Sequence, residues 1–298
     1  MNSSKKQPSD FSGNGYRLIA TILLILFILF GYHLYESNYG NPKTVFYGML
    51  LNNLSTSSFG ETVVSPQPNG YTAQYSQINT GSQNIVMSKE VQDEVVSAKP
   101  NRIVTLSIGT PSTDYSSYLS VQTSQKISSS YKKIIGIWGR NSPNGMSGQG
   151  GQLFQASLLN PFLFASGSTR LTNRLMDFIR VNKVYTILLQ KRATYKSRPV
   201  ISYKLGINLK QFSKLLNMYS EGIGYKNSAT TTNYSNNAST EVNAMVDVLS
   251  KDLISINFVG SSVTQWYSSY GIRQSINIPS HWIPLQQLKN KIITLANT

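Results

Sequence analysis

The run Leu18-Ile-Ala-Thr-Ile-Leu-Leu-Ile-Leu-Phe-Ile-Leu-Phe-Gly-Tyr32 constrains this chain more than any other segment, because 264 far more polar residues follow Leu34. From Leu18 to Leu34 the helix would measure about 25 Å at ~1.5 Å per residue, enough to span a bilayer core with Tyr16, Tyr32 and Tyr35 at the interfaces. Lys5, Lys6 and Arg17 precede it and Glu36 follows. The positive-inside rule therefore predicts a cytoplasmic tail over 1–17, a transmembrane helix over 18–35 and an extracytoplasmic α+β domain over 36–298. A cleaved signal peptide is the alternative, but the apolar stretch is long for one, and Gly31 to Ser37 offers no small-x-small cleavage pattern.

The chain has no cysteine. Disulfides, iron–sulfur sites, thiolate zinc and cysteine nucleophiles are excluded together, as is a lipid anchor of the bacterial lipoprotein type. The helix is then the expected tether, and the domain beyond it must stand on its own apolar core. Its length is ample for that.

Charge is the second constraint, with 27 basic residues against 12 acidic ones. Between Arg170 and Lys214 the excess concentrates, and Asp177 is the one acid there. Arg170, Arg174, Lys191, Arg192, Lys196 and Arg198 are candidate polyanion-binding residues, suited to an anionic envelope polymer or anionic lipid headgroups. A solvated basic face is the plainer alternative.

Short apolar blocks separated by Ser, Thr, Asn and Gly predict a sheet-rich domain with a few helices. Asn41-Pro42 begins a helix to about Leu54. Strands are expected at Thr62–Val64, Gly70–Asn79, Asn84–Lys89, Arg102–Ile108 and Ile134–Trp138, with Tyr115–Val121 less regular. A loop is expected at Asn141–Gly151 and helices at Gln152–Leu159 and Thr169–Val181. Strands at Val184–Gln190 and Val200–Ile207 should form a pair, with a helix capped by Asn208 and a Ser/Thr/Asn-rich loop over 225–239 following. A short helix from Thr240 to about Ser250 then precedes strands at Leu253–Phe258, Val263–Tyr270 and Ile272–Ile278, with Pro279 and Pro284 ending the sheet and a helix over Leu285–Leu295. Such a meander points to an antiparallel sheet with helices packed on one face, whose concavity is a natural apolar cavity.

No constellation of residues announces catalysis, a cofactor or a metal. His33 belongs to the outer end of the apolar run, and His281 has no identifiable acid partner. Glu90, Asp93 and Glu94 stand at helical spacing and read as a solvated face. The glycines at 145, 148, 150 and 151 lack the Lys-Ser/Thr of a phosphate loop. Tyrosine is abundant, 18 in all. Trp266, Tyr267, Tyr270 and Trp282 gather near the C-terminus as possible ligand-lining residues, or as filling between the sheet and the last helix.

Strand 200–207, helix 209–221, a long loop, strand 253–258 and then Tyr267-Ser-Ser-Tyr-Gly271 leading to Ser275-Ile-Asn-Ile-Pro279 resemble the exported lipoprotein-carrier and mycobacterial lipid-binding lipoprotein families. The resemblance implies a curved antiparallel half-barrel closed by helices, holding acyl chains or a lipidated partner. This chain departs by replacing the lipidation cysteine with a membrane helix. The expected function is a single-pass, membrane-anchored extracytoplasmic binding protein for lipid or a hydrophobic partner, and not an enzyme. The alternative is an assembly component of a secretion or conjugation machine in the cell envelope.

Overall fold

The structure, a computed structural model, describes residues 12–67, 70–80, 85–96, 99–123, 131–141, 160–165, 168–224, 234–235, 238–272 and 275–297. The expected loop at 142–151, the helix at 152–159 and most of the loop at 225–239 lie outside them. The chain divides into two units, 1–45 and 46–298.

In the first unit, helix α1 (Ser12–Tyr35) passes into one π-helical turn (Glu36–Gly40). The segment Ala20–Gly40 is long and apolar enough to cross a membrane, a property that membrane anchors and signal sequences share. Side chains from Ile22 to Phe30 are 48–75% exposed on every side of the helix. A helix on a water-soluble core would bury one stripe, and this one buries none of that stretch.

Helix α2 (Pro42–Ser55) enters the second unit at Phe46. The sheet begins with β1 (Ser58–Gln67), β2 (Gly70–Thr80), β3 (Val86–Val96), β4 (Lys99–Gly109), β5 (Asp114–Gln122) and β6 (Trp138–Asn141). Helix α3 (Thr169–Val181), the hairpin β7 (Tyr185–Tyr195) and β8 (Arg198–Asn208), and helix α4 (Leu209–Gly222) come next. Strands β9 (Ser239–Asp247), β10 (Leu253–Phe258), β11 (Thr264–Ser268) and β12 (Ile283–Pro284) lead to the last helix, α5 (Leu285–Asn297). The twelve strands among the described residues form one sheet in the order β12-β6-β5-β4-β3-β2-β1-β11-β10-β9-β8-β7. Two meanders, β1 to β5 and β7 to β11, are joined where β1 pairs antiparallel with β11. Among the described residues the sheet is open, with β7 at one edge and β12 at the other, and only β12 on β6 is parallel.

Side chains alternate across a strand, so cross-strand partners sort the residues onto two faces. From Tyr203 the partners run through Ala244, Ile256, Gln265, Val63 and Ile103 to Val121, all on one face. That face carries the helices. Phe46 of α2 meets Tyr203 at 5.6 Å between rings and Tyr185 at 5.8 Å. At the far end Leu288 of α5 packs with Val121, Tyr131 and Ile134. Between them Phe162 and Phe164 plug the core, held by backbone acceptors: Tyr185 donates to the Pro161 carbonyl at 2.6 Å, and Tyr219 donates to those of Phe164 and Ala165. Burial pushes both hydroxyls well above the ordinary tyrosine range.

Several expectations are corrected. The helix expected from Thr240 is strand β9, because Val242, Ala244 and Val246 recur at period two and all three are buried. Ile134 to Ile137 form a turn with Gly136 at φ +77°, and the strand starts only at Trp138. Among the described residues of 272–278 there is no strand; Ile283 and Pro284, expected to lie past the sheet, pair with Gly139 and Arg140 at its edge. An edge tolerates a proline, which has no N–H to donate. Tyr115 to Val121 lie in strand β5, which carries an irregularity at Leu119 where its register against β4 shifts. Glu90, Asp93 and Glu94 sit on strand β3, not on a helix, so alternation sends Asp93 to the face opposite the other two.

Candidate functional site: a cleft on the face opposite the helices

Thr62 of β1 and Trp266 of β11 are direct cross-strand partners, one step out of phase with Val63 and Gln265, and so they point away from the helices. They form the floor of a cleft of about 610 Å³. The far end of the β7–β8 hairpin makes one wall. Tyr195 stacks on Trp266 with ring centroids 5.7 Å apart and planes at 20°. Strands β7 and β11 are four intervals apart in the sheet, roughly 19 Å at ~4.8 Å per interval if it were flat. The hairpin end therefore folds back over the sheet.

The turn that achieves this is short and costly. Lys196 and Ser197 have φ of 48° and 63°, two successive non-glycine residues in the left-handed region. Tight two-residue hairpins of this kind ordinarily use Asn-Gly. The ammonium of Lys196 lies 5.3 Å from the Tyr195 ring centroid, so the phenol sits among Trp266 and a cation.

The opposite wall is the β9–β10 turn and the segment after β11. Asp247, 1% exposed, takes the Arg198 Nε at 2.8 Å on Oδ2, while its Oδ1 accepts from the backbone N–H groups of Leu249 at 2.9 Å and Ser250 at 2.8 Å. Arg198 is thereby aimed by a buried carboxylate while its own side chain stays 58% exposed. Asp252 also lines the cleft, and burial pushes its carboxyl above the ordinary range; the Ser250 hydrogen bond opposes this, Asp247 adds to it, and Arg198 opposes it again. Tyr270 closes the end, donating its hydroxyl to the Leu253 carbonyl at 2.8 Å.

Of the four aromatic residues singled out in the sequence, Trp266, Tyr267 and Tyr270 line this cleft and Trp282 does not. The Tyr267 ring turns to the helix side, stacking on Phe164 at 5.3 Å, and its hydroxyl meets Glu61 at 3.2 Å. Burial raises the Glu61 carboxyl above the ordinary glutamate range, against that hydrogen bond. Glu90 lies in the same row two strands on and is raised by burial as well. Trp282 stands beside β12, with the Arg140 guanidinium 4.5 Å from its ring centroid.

The six candidate polyanion-binding cations are spread over three places. Lys196 and Arg198 belong to the cleft, Lys191 and Arg192 fall on alternate faces of the edge strand β7, and Arg170 and Arg174 lie on the exposed side of α3. His281 is exposed, with Nδ1 2.9 Å from Ser280 Oγ. Among the described residues no group of three metal-ligating side chains gathers. Sequence reading missed Tyr195 and the role of Asp247. The available signal was a strand-turn-strand pattern around Tyr195-Lys-Ser-Arg198, a turn with neither Gly nor Asn to take the left-handed positions.

Fold and cleft define an α+β protein with one N-terminal apolar helix and a large, open, mostly antiparallel sheet. No family model matches the chain, and no curated protein matches it. Among solved structures the chain is similar to LprF from Mycobacterium bovis, with 12% identity, coverage of 81% of this chain and 99% of that chain, and a TM-score of 0.33. The family resemblance read from residues 200–279 meets a structural likeness of that depth and no more.

Proposed function

We propose that this chain is a membrane-tethered binding protein of the cell envelope, anchored by its N-terminal helix, with its domain outside the membrane and its ligand in the cleft beside Trp266. It is a binder and not an enzyme. The observation that carries the reading is the cleft itself. A buried Asp247 aims Arg198 at it, and a strained turn places Tyr195 and Lys196 over it. Strain of this kind persists where the surrounding structure over-determines it, and it concentrates at functional sites.

The finer version, a half-barrel holding acyl chains, draws support from the hairpin end folding over the sheet. Two features weigh against acyl chains. Phe46, Phe162 and Tyr203 fill the space under α2, and the cleft mixes charged and hydroxyl side chains with its aromatics. An assembly component is the second reading. Leu188 and Leu189, 50% and 64% exposed on the edge strand β7, favour a protein neighbour there.

The test is to place a photo-crosslinking amino acid in the full chain at Ser268, in the cleft, or at His281, outside it, and to irradiate cells producing each form. The reading expects a discrete adduct mass from position 268 and none from position 281. Equal yields from both, or none from 268, would sink it.

A further inference from the structure

We infer that the cleft takes a short oligosaccharide; this rests on the reading of the cleft as the ligand site. Three chemical classes compete for such a position outside a membrane: acyl chains, polyanions and polyhydroxylated ligands. Among the described residues, the charged groups lining the cleft are Lys196 and Arg198 against Asp247 and Asp252, two of each sign. A polyanion needs an excess of cations, and here each sign is matched. An acyl chain needs continuous apolar lining, and charged and hydroxyl side chains interrupt it. A sugar ring suits what remains. It has an apolar C–H face and a rim of hydroxyls, and each hydroxyl both donates and accepts.

The cleft has both halves of that pattern. Trp266, Tyr195 and Tyr270 supply rigid amphipathic rings. Around them Thr62, Ser250, Ser268 and Ser269 bring hydroxyls, Asp252 brings acceptors and Arg198 a donor fork. Charged partners make the stronger hydrogen bonds to neutral hydroxyls. Asp252 forms no ion pair among the described residues; its carboxyl shares a hydrogen bond with Ser250 and keeps further acceptor capacity for a ligand hydroxyl. Asp247 holds the Arg198 Nε at ion-pair distance, 2.8 Å from Oδ2. The volume, about 610 Å³, falls inside the ~300–1,000 Å³ range of small-ligand sites and exceeds what one sugar ring would fill.

The experiment uses the full chain in a sugar-free detergent, titrated calorimetrically with chitotetraose, maltotetraose and mannotetraose, and in a parallel arm with palmitoyl-lysophosphatidylglycerol. At least one tetrasaccharide should bind saturably with a Kd below about 1 mM. Tyr195→Ala, Trp266→Ala and the exposed Lys196→Ala should each weaken it by about tenfold or more, with Trp282→Ala unchanged. Lys196→Ala keeps the test open if an aromatic variant misfolds. No saccharide binding up to ~10 mM overturns the inference. Lysolipid binding that the cleft substitutions abolish, without saccharide binding, overturns the inference and leaves the cleft as the ligand site. Saccharide binding indifferent to all three substitutions overturns both.

Discussion

At the scale of single residues, Glu61 shows how the sheet carries polar groups it cannot fully hydrate. Its carboxylate faces the helix side, half-buried, with the Tyr267 hydroxyl at 3.2 Å as a partner. Desolvation outweighs that hydrogen bond and raises its pKa. The folded state therefore holds a proton that the unfolded state has already released, so stability falls as pH rises through the window between the ordinary glutamate value and the raised one. Glu61→Gln should raise the melting temperature at pH 7 and flatten the pH dependence across that window. Thermal melts at a series of pH values check it, and an unchanged slope with a lower melting temperature would contradict the account. Proximity in sequence decided what was legible at this scale. Trp266, Tyr267 and Tyr270 lie close together on one strand and its exit, so their clustering is readable without a fold. Tyr195 is 71 residues from Trp266, and only the folded hairpin brings the two rings together.

At the scale of elements, the β7–β8 hairpin is the part most at odds with its own local preferences. Lys196 and Ser197 adopt left-handed backbone at a cost of roughly 1–2 kcal/mol each. Ser197→Gly should therefore stabilise the protein by about 1 kcal/mol, less the extra freedom glycine gives the unfolded chain. Denaturant unfolding measures this, and destabilisation would show that the turn is not strained. Helices α3 and α4 are legible because each has an apolar stripe and a side-chain cap: Ser168 accepts from the Leu171 N–H at 3.2 Å and Asn208 from the Gln211 N–H at 3.0 Å. Strand β9 is not, since Thr240 imitates a cap and Val242, Met245, Val246 and Leu249 imitate helical spacing as well as they do alternation. Tertiary pairing with β8 and β10 decides the matter. The parallel pairing of Ile283–Pro284 with Gly139–Arg140 depends on segments 144 residues apart, beyond any local pattern.

At the scale of the whole molecule, the N-terminal helix is the feature most legible in the sequence, because an almost uniformly apolar run from Leu18 to Tyr32 needs no partner to be understood. The α+β class and the antiparallel meanders follow from short apolar blocks and their turns. The position of the cleft does not. An apolar cavity in the concavity of the sheet was the expectation, whereas aromatic packing occupies the space under α2 and the cleft, on the other face, mixes charged and hydroxyl side chains with its aromatics. Which face receives a ligand depends on where the helices settle and on a hairpin folding over, and neither is written in periodicity. The account depends above all on a tethered domain whose cleft opens outside the membrane. The absence of cysteine makes that directly measurable, since a single introduced thiol has no competitor. In intact spheroplasts producing the full chain, a membrane-impermeant maleimide should label Ser269→Cys and leave Ser3→Cys unlabelled until the membrane is breached, with both variants retained in the membrane fraction. Labelling of Ser3→Cys from outside, protection of Ser269→Cys, or release of a processed Ser269→Cys product would contradict the account.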